Sequence, residues 1–186
     1  DTSDSIPLEE TLEALGELVK QGKVRQIGLS NETPWGTMKY LELAETNSLP
    51  RVASIQNAYN LVNRGFEIGL SEVAMHEQVG LLAYSPLAQG TLTGKYLGGQ
   101  MPQGSRLALF GDGPLMMRYK GDKTQQAIEM YVNLAKKYEI DPAQLAIQFC
   151  NIQPFVTSTI IGATTMEQLK TCIDSVELDI TKEIMN

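Results

Sequence analysis

The chain has 186 residues, 42% hydrophobic and 20% charged, a composition suited to one soluble globular domain that buries roughly 70% of its unfolded surface. Its 15 basic and 22 acidic residues leave a net charge of −7, which argues against a nucleic-acid or anionic-membrane surface, since both need clustered lysine and arginine. Cys150 and Cys172 have neither a close pair nor neighbouring histidines, so neither a metal site nor a disulfide framework is expected. No apolar run reaches the length of a bilayer span, and Asp1-Thr2-Ser3-Asp4-Ser5 does not read as a signal peptide. The expectation is a reduced, metal-free, cytoplasmic protein.

Residues from about Pro7 to Gln21 predict a helix. Glu9 and Glu10 lie in its first turn, Leu12, Leu15, Leu18 and Val19 fall at helical spacing, and Gly22 ends it. Lys23 to Leu29 reads as a strand that stops at Ser30-Asn31. Thr33-Pro34 then starts a helix carrying Met38, Leu41 and Ala44. Val52 to Gln56 is the next strand, and a third helix is expected from about Phe66 to Glu77 after a loop from Asn57 to Arg64.

Val79 to Tyr84 reads as a strand buried on both faces. It runs into Ser85-Pro86-Leu87-Ala88-Gln89-Gly90-Thr91-Leu92-Thr93-Gly94-Lys95-Tyr96, the start of a long connection reaching about Asp122. A connection of that length inside a compact domain is usually functional. The spacing Gly90-x-x-x-Gly94-Lys95-Tyr96 is one residue short of a nucleoside-triphosphate loop and lacks its Ser/Thr after the lysine, which excludes an ATPase or GTPase reading. Two helices follow, Thr124 to Tyr138 and Asp141 to Asn151, the second with Pro142 at its first position. Phe155 to Ile161 is a β-branched strand, Gly162-Ala163-Thr164-Thr165 leads into a helix from Met166 to about Ser175, and Thr181 begins a last helix.

Strands and helices thus alternate four times, every strand reading as apolar on both faces. That is the pattern of a parallel sheet covered by helices. It fits a doubly wound sheet or part of a (β/α)8 barrel; a whole barrel needs about 250 residues.

Each strand ends in groups suited to a small ligand: Ser30 and Asn31, Gln56 and Asn57, Tyr84 and Ser85, then Gly162 to Thr165. In a parallel sheet such ends share one face and would form a polar crescent. Helix capping explains any single one of them. Gly162 to Thr165 opening a helix suits a phosphate, and capping by Thr164 or Thr165 accounts for it nearly as well. Lys95 and Arg106 are basic residues of the long loop, placed either to close over a phosphate or simply to face solvent. His76, the single histidine, lies before a strand and so on the opposite rim; it reads as a surface residue. No nucleophile–histidine pair and no carboxylate pair can be assembled at the crescent. The residues describe a binding site without an acid or base.

Several stretches resemble the aldo-keto reductases, with the Tas-like reductases and the potassium-channel β subunits as the nearest branches. Gly22 to Asn31 resembles the family's fifth strand, Ser54 to Asn57 the sixth, Ala83 to Leu87 through Tyr96 the seventh, and Ile161 to Thr164 through Leu169 the eighth. The resemblance covers essentially the whole chain. It implies strands five to eight of a (β/α)8 TIM barrel, the C-terminal half over residues 1–186, with a cofactor-covering loop at about 85–122. It further implies binding of NADP(H) and reduction of aldehydes or ketones by hydride transfer.

By that resemblance Ser30, Asn31 and Gln56 hydrogen-bond the nicotinamide carboxamide, and Tyr84 stacks on the ring. Ser85, Leu87, Gly90 and Lys95 take the pyrophosphate, with Arg106 helping to close the loop. Gly162, Thr164 and Gln168 contact the adenosine 2′-phosphate end. Two departures stand out. Thr171 and Cys172 occupy positions where the family often has Glu-Asn, which implies weaker adenine recognition, and Thr164 or Thr165 replaces a basic residue near the 2′-phosphate.

The family's proton-donor tyrosine and its lysine, aspartate and histidine partners come from the first four strands, so no catalytic residue is assigned here. Three readings follow. The first is a reductase fragment with the cofactor site but not the tetrad, taking a small carbonyl substrate once the barrel is completed. The second is a non-catalytic NADP(H)-binding regulatory subunit. The third is a structural pairing of two half-barrels through exposed sheet edges.

Overall fold

The first helix shows how closely local chemistry sets the element boundaries. In the computed structural model, which describes residues 6–111 and 113–185, α1 runs Leu8–Lys20. Gly22 then adopts φ +69°, its N–H bonds Val19 O at 2.9 Å, and Lys23 N–H bonds Leu18 O at 3.1 Å. This is a Schellman closure, with glycine in the left-handed position that L side chains disfavour. It absorbs Lys23 and Val24, so the strand expected from Lys23 begins only at Ile27. The N-terminal stretch Asp1–Ser5 lies outside the described residues, as does Asp112 within the long connection.

The following elements are β1 (Ile27–Ser30), α2 (Pro34–Thr46), β2 (Val52–Ala58), α3 (Leu70–Glu77) and β3 (Gly80–Tyr84). The start of α2 matches the sequence: Thr33 Oγ1 accepts from Gly36 N–H at 3.0 Å and Pro34 occupies the first turn. The third helix is shorter than expected. Residues Gly65–Glu67 form one 3-10 turn, and Gly69 at φ +102° breaks the path before Leu70.

The long connection is not structureless. It carries 3-10 turns at Ala88–Thr93 and Leu97–Gly99, then the short helices α4 (Arg106–Phe110) and α5 (Pro114–Met117). Helices α6 (Asp122–Lys137) and α7 (Pro142–Asn151), strand β4 (Val156–Thr159), and helices α8 (Met166–Asp174) and α9 (Lys182–Met185) complete the order. Asp141 caps α7, its carboxylate accepting from Ala143 N–H at 2.7 Å.

The four strands form one parallel sheet in the order β1-β2-β3-β4, with Ser30 opposite Gln56 in the β1–β2 register. Gly28 is needed there, because a Cβ would stand 2.7 Å from Ser54 Oγ and 3.0 Å from its carbonyl oxygen. The strands are not apolar on both faces. Burial alternates along β3, where Leu81 and Ala83 are buried and their neighbours half-buried, and β4 exposes Thr157 and Ser158. The β-branched Val-Thr-Ser-Thr of β4 carries strand propensity without apolar burial. Ile160 and Ile161, expected within that strand, lie beyond it and are exposed.

The chain divides into two compact units, Asp1–Asn57 with Phe66–Leu82, and Ala58–Gly65 with Ala83–Asn186. The first buries Leu12, Tyr40, Ile55 and Leu81 among others. The second has a cluster of Ala88, Leu92, Tyr119, Ile128, Val132 and Ala146, against which Leu61, Val62, Leu87, Leu97 and Tyr131 pack. Tyr59 lies stacked on Phe149 at 5.6 Å and edge-on to Phe155 at 5.3 Å. Among the described residues no helix is long and apolar enough to cross a membrane.

Candidate functional site

In the first unit the end of β1 meets the end of β2. Asn31 N–H donates to Gln56 O at 2.9 Å, extending the strand pairing by one residue, and Asn31 Nδ2 donates to Ser30 Oγ at 3.1 Å. Asn31 takes φ +54°, a conformation its short polar side chain tolerates better than most. Ser30, Asn31 and Gln56, expected as a set, are therefore brought together by backbone register. Beside them Asn57 Nδ2 reaches Glu32 O at 3.5 Å, while its Oδ1 is buried and meets no donor among the described residues. A buried acceptor without a partner is uncommon and suits a bound N–H group.

In the second unit the loop after β3 is built from unusual backbone. Ser85, Ala88 and Gln89 have φ of +54°, +47° and +61°, and Gly90 follows at +93°. Three non-glycine residues in the left-handed region within five positions are costly, and such strain clusters at functional sites. Side chains hold the turn. Gln89 Nε2 donates to Ser85 Oγ at 2.9 Å, and Arg106 Nη1 donates to Gln89 Oε1. The Lys95 side chain crosses Gly90: a Cβ there would stand 3.0 Å from Lys95 Cε and 3.1 Å from its Nζ. Lys95 also sits 5.2 Å above the Tyr96 ring, and Tyr96 Oη accepts from Leu107 N–H at 3.4 Å.

In the loop Lys95 lies against Gly90, and Gln89 links Ser85 to Arg106. Leu87 contributes differently: its side chain packs on the core cluster, and its carbonyl accepts from Gly90 and Leu92 N–H at 2.8 and 3.2 Å. Tyr84 is half-buried and hydrogen-bonded by Arg118, whose guanidinium pKa is raised chiefly by that bond and further by one to Tyr119. Gln89, Arg118 and the buried Asn60 behind the loop carry no motif. The one signal available for Gln89 was its position four residues after Ser85.

The Gly162–Thr165 turn, in the same unit, is exposed throughout. Thr165 Oγ1 accepts from Gln168 N–H at 3.2 Å, and Gln168 Oε1 accepts from Thr164 N–H at 2.9 Å and Thr164 Oγ1 at 3.1 Å. Local capping of α8 accounts for these contacts.

His76 is exposed in the last turn of α3. Cys150 is buried and pushed up to about 12 by desolvation, so it stays a neutral thiol. The described residues contain no group of acids, histidines and cysteines able to hold a metal.

Parallel strands with covering helices, and polar and cationic groups at the strand ends, define the parallel α/β class of ligand-binding sheets. The chain belongs to the aldo/keto reductase family, whose model matches residues 1–186. That family has the (β/α)8 barrel fold and oxidoreductase activity, and the four strands seen here form part of such a barrel. Protein tas of Escherichia coli (strain K12) is 50% identical over 185 residues, covering 100% of this chain and 53% of that protein. L-glyceraldehyde 3-phosphate reductase of the same strain is 35% identical over 170 residues, 90% of this chain and 49% of that protein. A putative voltage-gated potassium channel subunit beta of Schizosaccharomyces pombe is 31% identical over 186 residues, 97% of this chain and 54% of that protein. The chain spans about half the length of the curated relatives it matches.

Proposed function

We propose that this chain is the cofactor-holding portion of an NADP(H)-dependent aldo-keto reductase acting on small aldehydes or ketones. One observation carries the reading: the strained turn after β3, with the Lys95 ammonium over Gly90 and Arg106 tied through Gln89 to Ser85. Two cations beside a left-handed turn favour a diphosphate, because successive main-chain amides turn toward one side of such a bend and the charges add to their field. Lys95, Ser85, Gly90 and Arg106 would hold that diphosphate, and Tyr84, oriented by Arg118, would face the nicotinamide.

Ser30, Asn31 and Gln56 suit the carboxamide, since they offer hydroxyl and amide groups already set by strand register. The buried Asn57 Oδ1 beside them also fits a ligand N–H donor. Gly162, Thr164 and Gln168 would take the adenosine 2′-phosphate end by exchanging their local bonds for the ligand. When bound, the nicotinamide supplies a hydride to a carbonyl carbon; the residues here bind and orient it, and the proton donor belongs to residues outside this stretch.

The test is a fluorescence titration of the full-length protein with NADPH, NADH run alongside, followed by aldehyde turnover. Saturation with NADPH and oxidation of the cofactor by aldehyde are expected. No saturable binding at millimolar NADPH would overturn the reading. The likeness to a putative channel β subunit favours one rival, a non-catalytic NADP(H)-binding subunit, for which binding would occur without turnover.

A further inference from the structure

The proposed cofactor loop starts and finishes on a side chain that is not part of it. Asn60 lies just after β2, in the stretch Ala58–Gly65 that belongs to the second unit, and is 0% exposed. Its main chain exchanges hydrogen bonds with Asn63, at 3.1 and 3.0 Å. Its Oδ1 accepts from Val62 N–H at 3.0 Å, a local turn that fixes the orientation of the amide. Nδ2 is thereby aimed at two distant groups, Ser85 O at 2.9 Å and Tyr119 Oη at 3.1 Å.

Ser85 is the first residue of the loop and Tyr119 stands close to its last. The Ser85 carbonyl also accepts from Ala88 N–H at 2.9 Å, so the φ +54° serine is secured from two sides. Tyr119 is buried in the cluster with Ala88 and Leu92, and its own carbonyl accepts from Gln125 Nε2 of α6 at 2.6 Å. Both ends are therefore anchored in packed structure, and one amide joins them.

The span between is built differently. Residues 98–104 are all exposed, and Gly98, Gly99, Gly104 and Gly111 take positive φ with open space where a Cβ would stand. No close approach demands glycine there, so these positions leave the backbone free to change path. Arg106 rides on this glycine-bounded span.

We propose that Asn60 is the positioning residue of the cofactor loop, pinning Ser85 and Tyr119 together so that only the span from Gly98 to Gly111, with Arg106, opens and closes over the ligand. This role rests on the reading of the loop as the NADP(H) cradle. A buried amide with both donors and its acceptor engaged has one low-energy arrangement, whereas glycine-rich exposed backbone has many.

The test uses the full-length protein with Asn60→Ala, Tyr119→Phe and the double variant, reading NADPH release by stopped flow and tryptic cleavage of the ligand-free protein. Tyr119→Phe keeps the ring in the core and removes the hydroxyl's bonds to Asn60 and to Arg118, so it remains informative where Asn60→Ala does not fold. It should speed release roughly tenfold and open the Arg118–Tyr119 bond to trypsin, leaving cleavage after Arg106 as in the wild type. In the double variant the Asn60-dependent part of the Tyr119→Phe effect should vanish, because that bond is already gone, leaving only the part carried by Arg118. Wild-type release rates and unchanged Arg118 cleavage in Tyr119→Phe would overturn the proposal, even with a lowered melting temperature. Failure of the wild type to bind NADPH would sink the cradle reading instead, while the tryptic pattern would still decide whether the pin exists.

Discussion

Two turns of the second unit suit an anion by sequence, and they are built in opposite ways. The turn from Ser85 to Lys95 stands on a buried core: Asn60 and Tyr119 lie beneath it, Gly94 approaches Val132 of α6, and Lys95 crosses Gly90. The turn from Gly162 to Thr165 is exposed throughout, its glycine has open space around it, and Gln168 and Thr165 satisfy its polar groups locally. Glycine and threonine before a helix serve a cap or a phosphate equally well. The distinction lies in whether the glycine is required by a close approach, and in whether strained backbone is supported from below. By both criteria the first turn is the built one.

The widest effect on that buried side comes from pH. Cys150 is hydrogen-bonded to Tyr59 O and Ala146 O, each at 3.5 Å, and burial raises its thiol from an ordinary 9.0 to about 12. A raised pKa in the folded state contributes stability that is complete below about pH 9 and lost as pH climbs toward 12. Urea melts at pH 8, 10 and 11 should show that decline, and Cys150→Ala should flatten it. Next in size is Asn60→Ala, which removes one of two hydrogen bonds at the Ser85 carbonyl, the other coming from Ala88 N–H, and one at the Tyr119 hydroxyl, which Arg118 also bonds, at roughly 0.5–1.5 kcal/mol for each.

Lys95→Met should leave the melting temperature unchanged and weaken NADPH about 10- to 100-fold, the weight of a charge-assisted hydrogen bond of about 1.5–3 kcal/mol. A smaller pair contrasts the two turns directly. Gly90→Ala forces a left-handed alanine against Lys95 and should cost about 1–2 kcal/mol, whereas Gly162→Ala should fall within about 0.5 kcal/mol of wild type. Thr165→Ala removes the α8 cap, an expected loss of about 1 kcal/mol with little change in cofactor binding. Equal costs at Gly90 and Gly162 would erase the comparison.

Much of this was legible without coordinates where the chemistry is local. Thr33-Pro34 and Asp141-Pro142 announced their helices, and the Ser30–Asn31 and Gln56 strand ends met as the register required. Local signals misled where one motif displaced another, as when the closure of α1 at Gly22 took over residues that read as strand. Burial was overestimated for β4 because β-branched threonines look like core. Asn60 was out of reach for a different reason. Its partners are 25 and 59 residues away in the chain, so nothing adjacent to it marks the contact. Arg118 and Gln89 share that limit: each acquires meaning only when the loop is folded.

The most direct test of the contrast between the two turns is a side-by-side NADPH titration of the full-length wild type, Lys95→Met and Gln168→Ala. Tenfold or greater weakening by Lys95→Met, with only a severalfold change in Gln168→Ala, is the predicted result. Wild-type affinity in Lys95→Met, or a larger loss in Gln168→Ala, would contradict it and move the anion seat to the exposed turn before α8.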